Sequence, residues 1–400
     1  MRDVLYSLPK GSVNCFVSSP PYYAARKYED VNPTWWGGNK HCQHEPYGEH
    51  NVCSKCFARY QTLGNESCID DYISNMVECF DAMKFALHDT GTVWLNIGDI
   101  HINGKLAMIP ERLAITLEKQ GWKVVDIIVW AKGNSFAQPC KKCGSPGYVG
   151  SIMPSSVKSR PTQSHEYIYI FAKDNKVKHY YDWFGVREDG VYPAGTQAAK
   201  GSENRKNQEG VNARPAEYKI YDGKRNLRTV WSIPVERKSQ EYGHFAAFSE
   251  SLVTPAIQAG CSQGGRCSKC FAPLKRDIRP TREYSSILGK DWADYETDEK
   301  EGRGHFETQN GKAQTRPSKR KASSTSAGYE HIGWGNICSC GEETEKAVVC
   351  DPFGGLGTTA VAAERLGVDS IIIEISSEYC DIAERYIRDK LGNKVEIIRE

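Results

Sequence analysis

A short segment near the N-terminus, Ser19-Pro20-Pro21-Tyr22, combines residue types that could hold the exocyclic amine of a nucleic-acid base. The two prolines stiffen the chain and remove two N–H donors, so the carbonyl groups of this corner are left to accept hydrogen bonds. The hydroxyl of Ser19 and the carbonyl of Pro20 could accept both protons of an amine, which would free the nitrogen lone pair for attack. Tyr22 could stack on the face of a base that has left the duplex. Taken alone, the segment also fits a proline loop without chemistry.

A glycine-rich turn near the other end of the sequence, Asp351–Thr359, could bind a nucleoside cofactor. Its glycines allow the backbone to double back and approach a ligand without Cβ clashes. Glu374, about twenty residues further on, can accept hydrogen bonds from both hydroxyls of a ribose. Asp351 would repel a pyrophosphate but suits a cationic amino acid group, and Phe-x-Gly-x-Gly differs from the dinucleotide spacing. These features favour S-adenosylmethionine, with a purely structural turn or a dinucleotide oxidoreductase as the alternatives.

Strands and helices alternate along the chain, which predicts a parallel-rich α/β sheet. This sheet would position both the proline corner and the glycine turn. Gly91 is expected to end the first of these helices, Asp70–His88, and no internal repeat is predicted. The central expectation is that folding brings the proline corner alongside the glycine turn. The predicted strands are 11–19, 92–97, Val124–Trp130, Tyr167–Ala172, Ala347–Cys350 and Ser370–Glu374, and the predicted helices are Asp70–His88, Pro110–Gln120, Glu250–Ala259, Thr358–Leu366 and Glu378–Lys390.

Most of the fifteen cysteines fall in short pairs, which indicates thiolate metal ligation rather than a disulfide framework. Two sets of four ligands are predicted to be structural zinc sites, because a saturated set leaves no open position for chemistry. Free reduced thiols are the alternative for each set, and His41 and His50 compete as ligands in the first. Cys140 and Cys143 form a further pair without an obvious partner. The predicted zinc ligands are Cys42, His44, Cys53 and Cys56 in the first set, and Cys267, Cys270, Cys338 and Cys340 in the second.

Composition excludes several classes of protein. No apolar run is long enough to span a bilayer, and the N-terminus lacks the apolar core of a signal peptide. The sequence therefore predicts a soluble, cytoplasmic protein. The net charge is only +2, but residues 196–238 carry ten Lys and Arg against five Asp and Glu. This local surplus indicates either a nucleic-acid contact or a solvated polar loop.

The two segments together, in this order, resemble the β class of DNA amino-methyltransferases, in which the catalytic tetrapeptide precedes the cofactor loop. The resemblance covers most of the chain outside two polar insertions and the cysteine modules. It implies an α/β fold of the Rossmann-like, adenosylmethionine-dependent methyltransferase type, with a circularly permuted motif order and small zinc-ribbon-like insertions. Further segments that look like motifs of this family are Gly91–Asp99, Pro110–Trp122, Arg160–Lys173 and His244–Phe248.

The resemblance also implies roles for individual residues. The catalytic residues would be Ser19, Pro20, Pro21 and Tyr22. Asp3 would contact the adenine amine although it lies almost at the N-terminus, and Ser249 replaces the usual proline after the closing segment. The cofactor-binding residues would be Asp3, His244, Phe245, Phe248, Asp351, Phe353, Gly355, Gly357, Thr358 and Glu374.

The expected activity is transfer of a methyl group from S-adenosylmethionine to a base amine in double-stranded DNA, with the target base flipped out. In the family, Ser at the first tetrapeptide position is associated with N4 of cytosine, and Asp or Asn mostly with N6 of adenine. Ser19 therefore favours cytosine, and N6-adenine methylation is the nearest alternative. A zinc-bearing DNA-binding protein with an inactive core is a third. The family also includes the modification enzymes of restriction systems, which allows for a companion restriction endonuclease in a bacterial, archaeal or phage-infected cell.

The resemblance divides the chain into four parts. Residues 1–173 would form the catalytic half of the core, with a Cys/His insertion at 40–60. Target recognition is assigned to 174–243, with Lys224, Arg225 and Arg228 as DNA-binding residues that contact phosphates. Residues 244–266 and 345–400 would form the cofactor-binding half, and 267–344 a polar insertion flanked by cysteines. Arg316, Lys319, Arg320 and Lys321 form another basic cluster, for which a solvated loop is the favoured interpretation.

Overall fold

The structure is a computed structural model with two compact units. One comprises residues 1–182, 228–274 and 336–400, and the other comprises residues 183–227 and 275–335. The residues that the structure describes are 1–25, 31–39, 41–45, 51–132, 134–137, 147–149, 156–190, 197–199, 218–220, 223–236, 242, 249–281 and 328–392.

A seven-stranded sheet forms the centre of the larger unit, in the spatial order β5-β3-β4-β2-β1-β6-β7. Every adjacent pair is parallel except those that involve β4, which is antiparallel to both of its neighbours. The strands are β1 (Val13–Ser18), β2 (Leu87–Ile97), β3 (Lys123–Ala131), β4 (His165–Ala172), β5 (Val230–Ser232), β6 (Val348–Asp351) and β7 (Asp369–Ile372).

This topology fixes which residues can meet. The six parallel strands all end at one edge of the sheet, and the antiparallel strand β4 begins at that same edge. Ser19 follows β1, Lys132 follows β3, and Phe353 lies two residues after β6. Glu166 is the second residue of β4 and so lies at this edge as well. In open α/β sheets, ligands bind outside the carboxyl ends of the strands.

Among the described residues, six helices accompany this sheet. The second is the longest, with ten buried residues, and its boundary differs from the sequence prediction. It ends at Ala86 and β2 begins at once, so Gly91 lies within a strand and does not end a helix. A Cβ atom at Gly91 would lie 2.8 Å from the carbonyl oxygen of Asn14. Glycine is therefore needed there for close strand packing. The helices are α1 (Arg2–Ser7), α2 (Ile69–Ala86), α3 (Ile109–Lys119), α4 (Glu250–Gly260), α5 (Thr358–Arg365) and α6 (Ser377–Leu391).

The main core lies between the sheet and helices α1 to α3. Phe80 of α2 packs edge-on against Trp122 and against Phe171 of β4, and all three side chains are almost fully buried. On another helix, Gly260 of α4 has no room for a side chain, because a Cβ there would lie 2.4 Å from Sγ of Cys15. Helices therefore pack tightly against both β4 and β1 of the sheet.

Two-stranded antiparallel ribbons lie outside the sheet. In the larger unit, strands Thr34–Trp36 and Arg59–Gln61 pair, as do His101–Ile102 with Lys105–Leu106, Asn134–Ala137 with Gly147–Val149, and Arg266–Cys267 with Thr344–Glu345. The smaller unit contains Glu188–Asp189 paired with Lys224–Arg225, Gln197–Ala199 with Tyr218–Ile220, and Lys275–Pro280 with Tyr329–Gly335. Among the described helices, none has both the length and the apolar character needed to cross a membrane.

Candidate active site

The proline corner leaves the sheet directly after β1, and neighbouring side chains hold it in place. The hydroxyl of Tyr72 donates to the carbonyl of Pro21 at 2.9 Å. Ser19 Oγ donates to Tyr22 Oη at 3.2 Å, so the first and last residues of the tetrapeptide are connected. The carbonyl of Pro20 accepts no hydrogen bond from any described residue. Ser19 Oγ also accepts from Asn96 Nδ2 at 3.5 Å, so one of its lone pairs and the Pro20 carbonyl are left to accept from a ligand.

A hydrogen-bond network lies behind the corner and involves three side chains that the sequence analysis did not assign. Tyr22 Oη donates to Glu166 Oε2 at 2.8 Å. Asn96 Nδ2 donates to Tyr22 Oη at 2.9 Å and to Glu166 Oε2 at 3.0 Å. Lys132 Nζ forms an ion pair with Glu166 Oε1. The signal that could have found these residues is positional, since each is a polar residue at the same edge of the sheet.

Asn96 presents an unused acceptor at this site. It is 6% exposed, and its Oδ1 atom is buried without a hydrogen-bond partner among the described residues. The amide orientation is fixed, because exchanging its oxygen and nitrogen would place an acceptor against the Glu166 carboxylate. An unpaired buried acceptor is costly unless a ligand or water satisfies it.

Burial also affects the acid–base chemistry of Tyr22. Its pKa is raised well above the usual value, first by desolvation and then by the negative charge of Glu166. The phenol therefore stays protonated at neutral pH. It can donate to Glu166 and accept from Ser19 at the same time.

The glycine turn is connected to Glu374 by backbone hydrogen bonds. The N–H of Gly355 donates to Glu374 Oε2 at 2.8 Å. The N–H groups of Ile375 and Ser376 both donate to Oε1 at 2.9 Å. These three bonds orient the carboxylate at the cavity and leave one lone pair, on Oε2, for a ligand. Glu374 lies two residues beyond the end of β7, because the strand ends at Ile372 and not at Glu374 as predicted.

Two glycines of the turn are required by the packing. Gly357 has φ +76°, and a Cβ there would lie 2.9 Å from Cδ1 of Ile387 on α6. Gly354 has no space at all, because its Cβ would lie 2.1 Å from Cγ2 of Ile372 on β7. The turn can therefore close tightly over the ends of β6 and β7 only without side chains at these positions.

Asp351 occupies a different place from the one expected. Its side chain is fully buried and does not line the cavity formed by the described residues. One carboxylate oxygen accepts from Ser18 Oγ and from the N–H of Phe353, and the other accepts from Thr359 Oγ1 at 2.8 Å. Desolvation by burial raises the pKa of Asp351 to about 6, although these bonds oppose the rise. In this structure Asp351 connects β1, the turn and α5 to one another.

A single cavity of about 620 Å³ joins the two halves of the site. It lies entirely within the larger unit, so the proline corner and the glycine turn, far apart in sequence, face the same space. Asp3 also lines it, although it lies almost at the N-terminus. The residues from the expected set that line the cavity are Asp3, Ser19, Pro20, Pro21, Tyr22, Phe353, Gly355, Thr358 and Glu374. The expected residues His244, Phe245 and Phe248 lie outside the described part of the chain.

Both predicted sets of metal ligands are assembled. In each, the four ligand atoms lie within 4.8 Å of one another. Cys42 Sγ lies 3.8 Å from Cys53 Sγ, and Cys56 Sγ lies 3.3 Å from Nδ1 of His44. Two sulfurs of a tetrahedral zinc site with bonds of about 2.3 Å are separated by roughly this distance. Both sets lie in the larger unit, whereas Cys140, Cys143 and His50 are outside the described residues.

The sequence analysis missed an internal repeat within these modules. The hexapeptide Cys-Ser-Lys-Cys-Phe-Ala occurs at 53–58 and again at 267–272. The two copies share their backbone geometry, with the first Cys N–H donating to the Ala carbonyl at 2.7 and 2.9 Å. Phe57 and Phe271 both adopt positive φ, at 60° and 62°. The chain thus uses one cysteine knuckle twice.

The predicted DNA-binding residues lie in both units. Lys224 and Arg225 are in the smaller unit, on the strand that pairs with Glu188–Asp189. Arg228 belongs to the larger unit. Lys224 Nζ pairs with Asp189 at 2.6 Å, and Arg225 Nε pairs with Glu188 at 2.8 Å. The basic cluster at Arg316 to Lys321 lies outside the described residues.

Comparison with known proteins identifies the class to which this fold and site belong. The model of the DNA methylase family, of the N6/N4 methyltransferase type, matches residues 13–272 and 342–385. The chain therefore belongs to this family of DNA methyltransferases.

Among its relatives is the Type II methyltransferase M.Cfr9I of Citrobacter freundii, 29% identical over 291 residues that cover 66% of this chain and 71% of that enzyme. The Type II methyltransferase M.SmaI of Serratia marcescens is 28% identical over 294 residues, 66% of this chain and 74% of that one. Among solved structures, the cytosine-N4-specific PvuII DNA methyltransferase aligns over 97% of this chain and 90% of its own, with a TM-score of 0.45 and 13% identity.

Proposed function

We propose that this DNA methyltransferase uses S-adenosylmethionine to methylate N4 of cytosine in double-stranded DNA. One observation carries the proposal: Ser19 and Glu374, at opposite ends of the sequence, line the same cavity. Methyl transfer requires a base amine and a methyl donor to share one space.

The residues of the glycine turn fit this cofactor. The carboxylate of Glu374 is oriented by backbone N–H groups and keeps a lone pair on Oε2 to accept from a ribose hydroxyl. Asp3 lines the same cavity, where it can accept from the adenine amine. When bound, S-adenosylmethionine supplies a methyl group on a positively charged sulfur. A dinucleotide would bring a pyrophosphate, and no described cation occupies the turn to receive it.

At the other end of the cavity, the chain's own residues position the amine. Ser19 Oγ and the Pro20 carbonyl accept its two protons, which directs the nitrogen lone pair into the cavity. Holding two groups in reacting geometry contributes most of the rate in such a transfer. No cysteine nucleophile is needed; Cys15 precedes the corner but is fully buried within β1.

The choice of cytosine rests on Ser19 at the first tetrapeptide position, and N6 of adenine is the alternative within the same family. Methylome sequencing of a cell that expresses this chain, compared with one that expresses Ser19→Ala, tests the choice. Methylated cytosine at a fixed sequence in the first cell only would support it. Methylated adenine at a fixed sequence would show that N6 of adenine is the target instead. An unmethylated genome would overturn the proposal.

Replacing Glu374 with alanine should weaken S-adenosylmethionine binding by about 10- to 100-fold, because each hydrogen bond to a charged group contributes roughly 1.5–3 kcal/mol. The loss of the acceptor for Gly355 N–H would also loosen the turn. Titration calorimetry with the cofactor measures the effect. Glu378→Ala is the matched control, since that residue is exposed in the first turn of α6. Equal affinity for Glu374→Ala and Glu378→Ala would remove Glu374 from the cofactor site.

We further propose that the smaller unit serves target recognition, so that residues 275–335 contribute to it as well as 183–227. Its ion pair between Lys224 and Asp189 is exposed, with 47% and 89% of the side chains accessible. Exposed ion pairs contribute little to stability, so Lys224 can exchange its carboxylate partner for a DNA phosphate.

Replacing Lys224 and Arg228 with alanine should weaken DNA binding several-fold and lower the salt slope of log K by about 1 for each phosphate that the variant no longer neutralises. Fluorescence anisotropy at a series of salt concentrations measures both quantities. Lys119→Ala provides the control. Because α3 begins near the carboxyl edge of the sheet, Lys119 at its last turn lies at the opposite edge, away from the site. If neither Lys224→Ala nor Arg228→Ala changed the salt slope, phosphate contact by these two residues would be contradicted.

We propose that the two sets of cysteine and histidine ligands each hold one structural Zn²⁺ ion. The donor sets are saturated, which is typical of structural zinc. In the second set, the N–H groups of Cys270 and Lys269 lower the pKa of the Cys267 thiol to about 7, and metal binding requires the thiolate. The relatives named as Type II methyltransferases are consistent with a companion restriction endonuclease for this chain, which we also propose.

A further inference from the structure

The network behind Tyr22 has a fixed direction. Lys132 Nζ and Asn96 Nδ2 can only donate, and both donate to Glu166, which as a carboxylate can only accept. The Tyr22 hydroxyl must therefore point its proton at Glu166 Oε2, 2.8 Å away. Its lone pairs then face Asn96 Nδ2 and Ser19 Oγ.

This direction continues into the cavity. Ser19 Oγ donates its own proton to Tyr22 Oη and accepts from Asn96 Nδ2 at 3.5 Å, so one lone pair of Ser19 is left for a ligand. Ser19, Tyr22, Asn96, Lys132 and Glu166 all line the cavity. A continuous path of hydrogen bonds thus runs from the point where an amine proton would be held to a carboxylate.

Space for this path is provided by Gly98, just after β2. A Cβ atom at Gly98 would lie 2.9 Å from Cε2 of Tyr22 and 3.4 Å from Cγ of Glu166. The Glu166 side chain is 12% exposed and that of Lys132 29% exposed, so the carboxylate is shielded while its cation partner reaches solvent. Burying polar groups costs free energy unless they are hydrogen-bonded, and Glu166 is paired with Lys132 and Asn96.

We propose that Glu166 is the terminal acceptor of the proton released by the methylated amine, and that Ser19 and Tyr22 relay it. This inference depends on the proposed function, because it assigns the proton of that same transfer. Lys132 and Asn96 are positioning residues that hold Glu166 as an acceptor.

Atoms and charge balance in this step. The amine nitrogen forms a bond to the methyl carbon, the carbon–sulfur bond breaks, and its electron pair stays on the sulfur, which becomes neutral. The nitrogen now carries an extra proton, which passes to Ser19 Oγ as the Ser19 proton passes to Tyr22 Oη and the Tyr22 proton passes to Glu166. The products are the methylated base, the demethylated cofactor and a protonated Glu166, which then releases its proton to solvent near Lys132.

The relay requires that Tyr22 receive a proton as it gives one away, because a free phenolate would be too costly at this site. The burial and the neighbouring carboxylate that raise the pKa of Tyr22 support this behaviour. A protonated exocyclic amine of a base is strongly acidic, so a carboxylate suffices to take the proton.

The test compares Glu166→Gln with Glu166→Asp in single-turnover methyl transfer to plasmid DNA. Gln keeps the size and the hydrogen-bond acceptor but cannot take a proton, so the rate should fall by about 10²-fold or more, in the range of general acid–base effects. Asp keeps the carboxylate and should retain a rate within about 10-fold of the wild type. Glu118→Gln, on the exposed last turn of α3, is the control that should change nothing.

A second variant keeps the proposal testable if Glu166→Gln does not fold. Tyr22→Phe retains the ring and breaks the path, and it should abolish the solvent deuterium isotope effect that the relay gives the wild type. Cofactor affinity should be the same in every variant. Provided that the wild type methylates DNA, equal rates for Glu166→Gln and Glu166→Asp would overturn the relay. So would an isotope effect that persists in Tyr22→Phe. Failure of the wild type to methylate any DNA amine would instead overturn the proposed function.

Discussion

Replacing Ser19 with alanine is expected to lower the rate of methyl transfer by about 10²- to 10³-fold, as removal of one group that stabilises a transition state typically does. The alanine cannot accept a proton of the amine, and it also disconnects the cavity from Tyr22. Burst-phase kinetics with DNA and labelled cofactor measure the rate of the chemical step.

Cofactor binding separates this effect from a general loss of structure. Ser19 is held by the proline corner, whereas Glu374 is held by the glycine turn, so calorimetry should give the Ser19→Ala variant the same affinity for S-adenosylmethionine as the wild type. Ser377→Ala, an exposed serine at the start of α6, is the matched control for both measurements. An equal loss of rate and of cofactor affinity would show that Ser19 acts only through the fold.

Replacing Cys53 with serine is expected to remove one of two zinc ions and to disrupt one wall of the cavity. The ring of His44, a ligand in the same set, stacks on Trp35 with centroids 4.8 Å apart. The strand that contains Trp35 places Thr34 and Trp36 in the cavity lining. Arg2 links this strand to the N-terminal helix, since it donates to the Trp35 carbonyl at 2.6 Å and lies 4.0 Å above the Trp36 ring.

The expected magnitude is large, because structural zinc contributes an apparent free energy of about 10–16 kcal/mol to small metal-binding modules. Atomic spectroscopy should give two zinc ions per wild-type chain and one in Cys53→Ser, with a lower melting temperature and weaker cofactor binding. Cys68→Ser is the control, since Cys68 is exposed and belongs to neither set. A wild-type protein purified under reducing conditions without any metal would contradict both sites.

Much of this site could be predicted from the sequence because its two halves are continuous segments at strand ends. Ser19–Tyr22 and Asp351–Thr359 each follow a buried strand, and parallel strands end at one edge whatever their distance in the chain. The cysteine sets could also be predicted, because pairs of residues close together in the sequence supply most of their ligands. The antiparallel direction of β4 could not be predicted, because strand–helix alternation does not reveal where a crossover is missing.

The residues that sequence reasoning missed are those whose role depends on contacts across strands. Asn96, Lys132 and Glu166 come from three different strands or strand ends and meet only in the folded sheet. Asp351 was expected to face the cofactor because it ends a strand. Its carboxylate turns inward because Ser18 and Thr359 offer it hydroxyl donors there, and neither donor is apparent from the spacing of the turn.

The central claim is that one cavity holds both a methyl donor and a base amine. The most direct test is to incubate the purified protein with duplex DNA and S-adenosylmethionine that carries a deuterated methyl group, then to identify the labelled nucleosides by mass spectrometry. The proposed function predicts label in N4-methylcytosine, appearing about 10²- to 10³-fold more slowly when Ser19 is replaced by alanine. DNA that carries no labelled amine after incubation with protein shown to bind the cofactor would contradict the account.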